Sequence, residues 1–283
     1  MLILAWIIVL LFPVTSHAAV YWDDEMETGS VLGSDSHLTT VLIPAGAYAI
    51  DTNVKFSGTG SIRQNFPAIC QSTSSSGTQC GGAITRTFTP TDDSWMRWYI
   101  RISGDTSQGA TIGSPGGSFQ AYSSAFTKFV QGQSTHSPGA QNYARYWFSM
   151  GCCSVTGKTF VLGAERVPDP NNAQNYYSSK VLSDNTWYCI ETHTQMNTPG
   201  VANGIAEAWV DGVLVLSRTT IPWRNTGTDA NAKWEQWSTV RQGGVGNIWY
   251  DRVVVGDARI GCIGAPPVSD TTPPTAPSSL VAQ

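Results

Sequence analysis

Residues 187–212 read WYCIETHTQMNTPGVANGIAEAWVDG, two alternating runs divided by a turn-rich segment. Strand side chains project to opposite faces with period two. Trp187, Cys189, Glu191, His193 and Gln195 therefore share one face, and Tyr188, Ile190, Thr192, Thr194 and Met196 the other. Residues 197–204 bring Asn, Pro and Gly, which punctuate strands. Alternation resumes over 205–211, with Ile205, Glu207 and Trp209 opposite in sense to Ala206, Ala208 and Val210. Asp211-Gly212 then signals a tight turn into 213–216. The pattern predicts a β-hairpin. If the hairpin buries one face, directly paired residues have numbers of even sum, so Glu207 lies opposite His193 or Gln195 and never opposite Thr194.

The same period recurs along the chain. Short alternating segments at 47–56, 61–66, 83–88, 95–103, 126–130, 143–150, 159–162 and 247–255 are separated by turn residues, and long helical patterns are missing. Regular short strands predict an all-β sandwich or barrel. In SWMRWYIRIS, Met96, Trp98, Ile100 and Ile102 form the core face, leaving Arg97, Tyr99 and Arg101 opposite. In NYARYWFSM, Ala144, Tyr146, Phe148 and Met150 are the buried set, with Tyr143, Arg145 and Trp147 opposite. Residues 221–246, with Trp223, Arg224, Trp234 and Trp237, are too irregular for a clear strand and read as a groove-lining loop.

With 283 residues, 41% of them hydrophobic, the chain can bury a real core, and one sandwich accommodates about 200–250 residues. A net charge of -4 gives no basic footprint for nucleic acid. Residues 2–14 are an apolar run followed by small residues up to Ala18 and Ala19, the pattern of a secretory signal over 1–18. The run is shorter than the roughly 20 residues that span a bilayer, so no stable membrane span is expected and the mature chain is expected outside the cell. Six cysteines in an exported chain point to disulfides. Cys70 and Cys80 bracket a polar loop and are expected to pair. Adjacent Cys152 and Cys153 are too constrained to bond each other and are expected to reach Cys189 and Cys262.

Several pieces, DDEMETG at 23–29, SGTGSIRQNF at 57–66, WMRWYIRIS, the hairpin and NIWYDRVVVGDARIG at 247–261, resemble the concanavalin A-like superfamily, especially its polysaccharide lyase and laminin G-like branches. The resemblance implies an all-β jelly-roll sandwich of two curved antiparallel sheets over residues 19–264, with glycan bound on the concave face. It also implies a structural calcium held by Glu27 and Asp251. The acidic run of Asp23, Asp24, Glu25 and Glu27 has two readings of its own, a solvated turn or a hard-cation site. After the domain, 265–274 is a Pro- and Thr-rich linker. TAPSSLVAQ at 275–283 resembles the first strand of a fibronectin type III module, so downstream modules are expected.

Exposed Tyr and Trp beside Arg, His and carboxylates suit sugars, whose apolar ring faces stack on aromatics while hydroxyls take polar hydrogen bonds. The expected glycan face comprises Arg97, Tyr99, Arg101, Arg145, Trp147, Glu191, His193, Gln195, Glu207 and Trp209. The expected role is recognition of an acidic polysaccharide within a modular extracellular protein. The lyase resemblance implies an alternative, β-elimination on uronate glycans. Arg97, Arg101 or Arg145 would neutralise the sugar carboxylate, His193 would take the C5 proton with help from Gln195, and Tyr99 or Tyr143 would protonate the leaving oxygen. Glu191 and Glu207 offer a carboxylate pair for hydrolysis. A laminin G-like adhesion module is the third class, since sheet aromatics also serve protein interfaces.

Overall fold

The computed structural model describes residues 19–27, 48–66, 81–103, 127–135, 144–152, 155–165, 174–227, 229–242 and 246–263. These contain fourteen strands: β1 Val20–Asp24, β2 Tyr48–Asp51, β3 Ser61–Phe66, β4 Gly81–Thr91, β5 Asp93–Ser103, β6 Thr127–Ser134, β7 Arg145–Cys152, β8 Val155–Glu165, β9 Gln174–Val181, β10 Trp187–Gln195, β11 Gly204–Val210, β12 Val213–Ile221, β13 Trp234–Gln242 and β14 Gly246–Gly256. Among the described residues no helix is long and apolar enough to cross a membrane. The signal segment, the linker and the fibronectin-like end lie outside the described residues, as do Cys70, Cys80 and Cys153.

The strands form two antiparallel sheets. One has eight strands in the order β12-β11-β10-β5-β14-β3-β2, with β1 also paired to β14, and the other has six in the order β4-β13-β6-β7-β8-β9. At the centre of the larger sheet, β5 pairs with β10 without a break from Asp93↔Gln195 to Arg101↔Trp187. The β10–β11 register puts His193 opposite Glu207, one of the two pairings that parity allows. Asp211 and Gly212 hold φ of 52° and 78°, the two positive values of a type I′ turn, and Asp-Gly tolerates them at little cost.

The core lies between the sheets. Met96, Trp98, Ile100 and Ile102 from β5 meet Tyr146, Phe148 and Met150 from β7, and all are buried. Trp234 packs edge-on against Tyr146 at 5.2 Å and against Trp223 at 5.1 Å, the geometry that ring quadrupoles favour. Two corrections follow. Residues 234–242 form a central strand of the smaller sheet, flanked by β4 and β6. A bulge between Trp234 and Gln236 breaks the alternation there, which is why the period is hidden in the sequence. Cys189 bonds Cys262, with Cα atoms 5.9 Å apart, so neither reaches Cys152 or Cys153.

Candidate functional site

The expected glycan face does not assemble as one surface. Arg97, Tyr99, Arg101, Glu191, His193, Gln195, Glu207 and Trp209 lie on the outer face of the larger sheet, whereas Arg145 and Trp147 belong to β7 in the other sheet. Parity correctly gave the non-core face of each strand, but period two carries no information about which sheet a strand joins. Tyr143 lies outside the described residues.

On the larger sheet, His193 is held at both ring nitrogens. Nε2 lies 2.9 Å from an Asp93 oxygen and Nδ1 3.2 Å from Glu207, and the ring stacks on Trp95 at 4.2 Å. Burial favours the neutral ring, but the hydrogen bonds to Asp93 and Glu207 outweigh it and raise the pKa above the ordinary value. Glu207, hydrogen-bonded to His193 and accepting from Ser217, is held below the usual carboxylate range despite its burial. A base must present a free lone pair. Both ring nitrogens of this imidazole face carboxylates.

The rest of that face is occupied by the chain itself. Residues 257–263 run back across it as a strap, tied by the Cys189–Cys262 bond. Glu191, 1% exposed, accepts the backbone N–H groups of Ile260 and Gly261 at 2.7 and 2.8 Å and Arg259 Nε at 3.2 Å. Arg97 donates to the Gly261 carbonyl, and the Tyr99 hydroxyl accepts the Ile263 N–H. Burial pushes the Tyr99 phenol up and the Arg97 guanidinium down. Arg259 lies over Trp209 at 4.8 Å. Arg101 stacks on Trp249 and donates to Asn185, and Gln195 donates to Asp93. The carboxylate pair offered for hydrolysis is likewise committed, Glu191 to the strap and Glu207 to His193.

The outer face of the smaller sheet is built differently. Cross-strand register aligns Gln236, Gln133 and Arg145 in one row, Gln131, Trp147, Gly163 and Asn175 in the next, and Lys128, Ser149, Val161 and Tyr177 in a third. Trp147 packs onto Gly163, where an added Cβ would sit 2.0 Å from its Cε2. Lys128 Nζ lies 4.1 Å from the centre of the Trp147 ring. Tyr177 is 43% exposed. Trp147 Nε1, Ser149 Oγ and Asn175 Oδ1 are shielded from solvent without a hydrogen-bond partner, an uncommon state for three neighbouring groups. Beyond Arg145 and Trp147, the sequence reading missed this face. The QGQ alternation at 131–133 was its only visible signal.

In the middle of β14, Asp251 Oδ2 accepts the N–H groups of Phe56 and Ser57 at 2.8 and 3.2 Å. Its other oxygen is buried without a partner. Burial, with Glu25 and Glu27 nearby, pushes this carboxyl up to about 6 against the two backbone donors. Glu27 accepts from the Thr59 N–H and hydroxyl at 2.7 and 2.9 Å. No group of three or more His, Cys, Asp or Glu side chains among the described residues is arranged to hold a metal. A cation here would depend on these two carboxylates plus backbone oxygens.

No protein-family model matches the chain, and no curated protein sequence matches it. Solved structures do. The endo-β-1,4-glucuronan lyase of the fungus Trichoderma reesei superposes with TM-score 0.57 at 13% identity, over 85% of this chain and 96% of that one. The marine PL-14 alginate lyase of Aplysia kurodai gives 0.54 at 12% identity, over 84% and 99%. The Chlorella virus alginate lyase vAL-1 gives 0.52 at 11%, over 75% and 89%. The two antiparallel sheets of this chain are thus a jelly-roll sandwich of the kind these lyases share.

Proposed function

We propose that this chain acts on an acidic polysaccharide as a lyase, using the outer face of the smaller sheet. The observation that carries the proposal is the juxtaposition of Arg145, Lys128, Gln131, Gln133, Trp147 and Tyr177 on that face. The larger sheet's residues are committed to the strap and to the His193 cluster. The likeness to glucuronan and alginate lyases supports the same reaction class.

β-Elimination removes the proton from C5 of a uronate, forms the C4–C5 double bond and expels the O4 glycosidic oxygen, which is protonated as it leaves. Removing that proton needs a cation or amide at the carboxylate to spread the developing charge, and a group that moves protons beside the ring. Arg145 and Lys128 are the cations, Gln131 and Gln133 the amide donors, and Tyr177 the described proton-transfer group. Tyr143, two positions before Arg145, remains a candidate acid from its place in the sequence.

The Cys189–Cys262 disulfide supports an oxidising compartment, in keeping with the apolar run at 2–14, and the reading is of a secreted enzyme. A structural calcium at Glu27 and Asp251 is part of the proposal, supported by the unpartnered Asp251 oxygen. The test is incubation with glucuronan, alginate and glycosaminoglycans while following ultraviolet absorbance of the unsaturated product. Product formation supports the lyase. Binding without product would return the chain to pure carbohydrate recognition, and neither would overturn both readings.

A further inference from the structure

The QGQ run at 131–133 puts two glutamines on one face of β6 and a glycine on the other. Gly132 turns to the core, where the Tyr146 ring occupies the space an added Cβ would need. Beyond the glutamines, buried Ser134 donates its N–H to the Ala144 carbonyl at 2.9 Å and accepts the Ala144 N–H on its hydroxyl at 3.0 Å. The backbone that carries both glutamines is therefore fixed from beneath and at its end. Their side chains stay half-buried on the outer face, where solvent still reaches them.

What remains to be ordered is the side chains, since a glutamine keeps much rotamer freedom on a fixed backbone. One contact supplies that order: Gln131 Nε2 donates to Gln133 Oε1 at 3.3 Å. An amide carries its oxygen and nitrogen on opposite sides of the carbonyl carbon. With its oxygen turned to Gln131, Gln133 presents its two N–H donors away from it. Register sets Gln133 between Gln236 and Arg145, so these N–H groups join a row of amide and guanidinium donors, the chemistry that a carboxylate accepts.

We infer that Gln131 is a positioning residue: it holds the Gln133 amide with its N–H groups toward the uronate carboxylate, and Gln133 is the amide that meets substrate. The inference rests on the lyase reading above and divides the roles of two residues which that reading treats alike. Removing the C5 proton loads charge onto the sugar carboxylate, and a donor already turned toward it stabilises that charge without reorganising. A Gln133 released from Gln131 presents its oxygen as readily as its nitrogen, and a carbonyl oxygen facing a carboxylate opposes the reaction. Loss of Gln131 is thus a loss in kcat that acts through Gln133.

The test is a double-mutant cycle on the whole chain, with initial rates of unsaturated product from glucuronan and alginate and thermal unfolding of each variant. Gln133→Met lowers kcat about 100-fold, as for removal of one donor to developing charge. Gln131→Met lowers kcat about tenfold, the effect of one hydrogen bond, with KM and melting temperature near wild type. The double variant is no slower than Gln133→Met, because Gln131 has nothing left to position. Gln131→Glu tests the direction of the bond, since a carboxylate accepts and does not donate. It draws the Gln133 N–H groups back and loses more than Gln131→Met, by a margin larger than in the Gln133→Met background, where only the added charge acts. Losses that multiply in the double variant, or full activity in either single Met variant, would overturn the positioning role and leave the lyase reading standing. A melting temperature that falls together with kcat in Gln131→Met would mark the residue as structural and do the same. Equal margins for Gln131→Glu in both backgrounds would overturn the donor direction. Wild type releasing no product from either polymer would overturn the lyase reading and this assignment with it.

Discussion

Replacing both Cys189 and Cys262 with serine releases the strap from β10, and the cost follows from the loop it closes. The bond links positions 73 apart in sequence. The chain-entropy relation then assigns it about 4 kcal/mol at 25 °C. Glu191→Gln tests the same attachment from its polar side. The substituted amide keeps the shape of the carboxylate but weakens its acceptance from Ile260, Gly261 and Arg259, at a cost of about 2–3 kcal/mol for bonds to a buried charge. Because both changes free the same segment, the triple variant loses less than the sum. Urea unfolding gives each free energy from the shift in midpoint at constant slope, and lyase assays below that midpoint give kcat/KM. Both variants are expected to lose stability and keep kcat/KM. Wild-type stability with depressed kcat/KM in Glu191→Gln would refute the reasoning, because it would put Glu191 in contact with substrate.

Three further outcomes are expected. The folded-state pKa of His193 is raised, so its contribution is fully present below the unfolded value of about 6.5 and is lost as pH climbs through the folded value. Glu207, depressed, contributes above its unfolded value of about 4.3 and loses this as pH falls. Stability therefore has a plateau between them, and urea titrations of His193→Gln should flatten the alkaline slope by about 1 kcal/mol. Gly163→Ala forces Trp147 off its seat, costing about 1–3 kcal/mol by overpacking and weakening oligouronate binding in calorimetry; unchanged stability and affinity would contradict the Trp147 packing. Calcium should raise the melting temperature of wild type and not of Asp251→Asn; equal responses to calcium and chelator in both would remove the metal from the account.

Much of the fold was legible because period two is written into the strands. Met96 through Ile102 and Ala144 through Met150 declare their buried faces, and Asp211-Gly212 declares its turn. Parity narrowed the partner of Glu207 to His193 or Gln195, and the register chose His193. What parity does not encode is which sheet a strand joins. Arg145 and Trp147 share residue chemistry with Arg97 and Trp209, yet the core of Tyr146, Phe148 and Trp98 lies between them. Nor does it encode long-range docking. Nothing in the DARIGC pattern at 257–262 says where that segment docks, and only the tertiary structure lays its backbone donors on Glu191. The smaller sheet's site was obscured for a related reason: bulges between Lys128 and Val130 and between Trp234 and Gln236 interrupt the alternation that would have exposed Gln131, Gln133 and Gln236 as one face.

The account stands on which face does the chemistry, and one measurement addresses that directly. Initial rates of unsaturated product formation on glucuronan and alginate are compared for wild type, Arg145→Ala and His193→Gln, each confirmed folded at the assay pH. The expected result is cleavage by wild type, a loss of at least about 100-fold in kcat/KM for Arg145→Ala, as for removal of a group that stabilises developing charge, and near-wild-type turnover for His193→Gln. Full activity in Arg145→Ala with none in His193→Gln would move the site to the larger sheet and contradict the assignment.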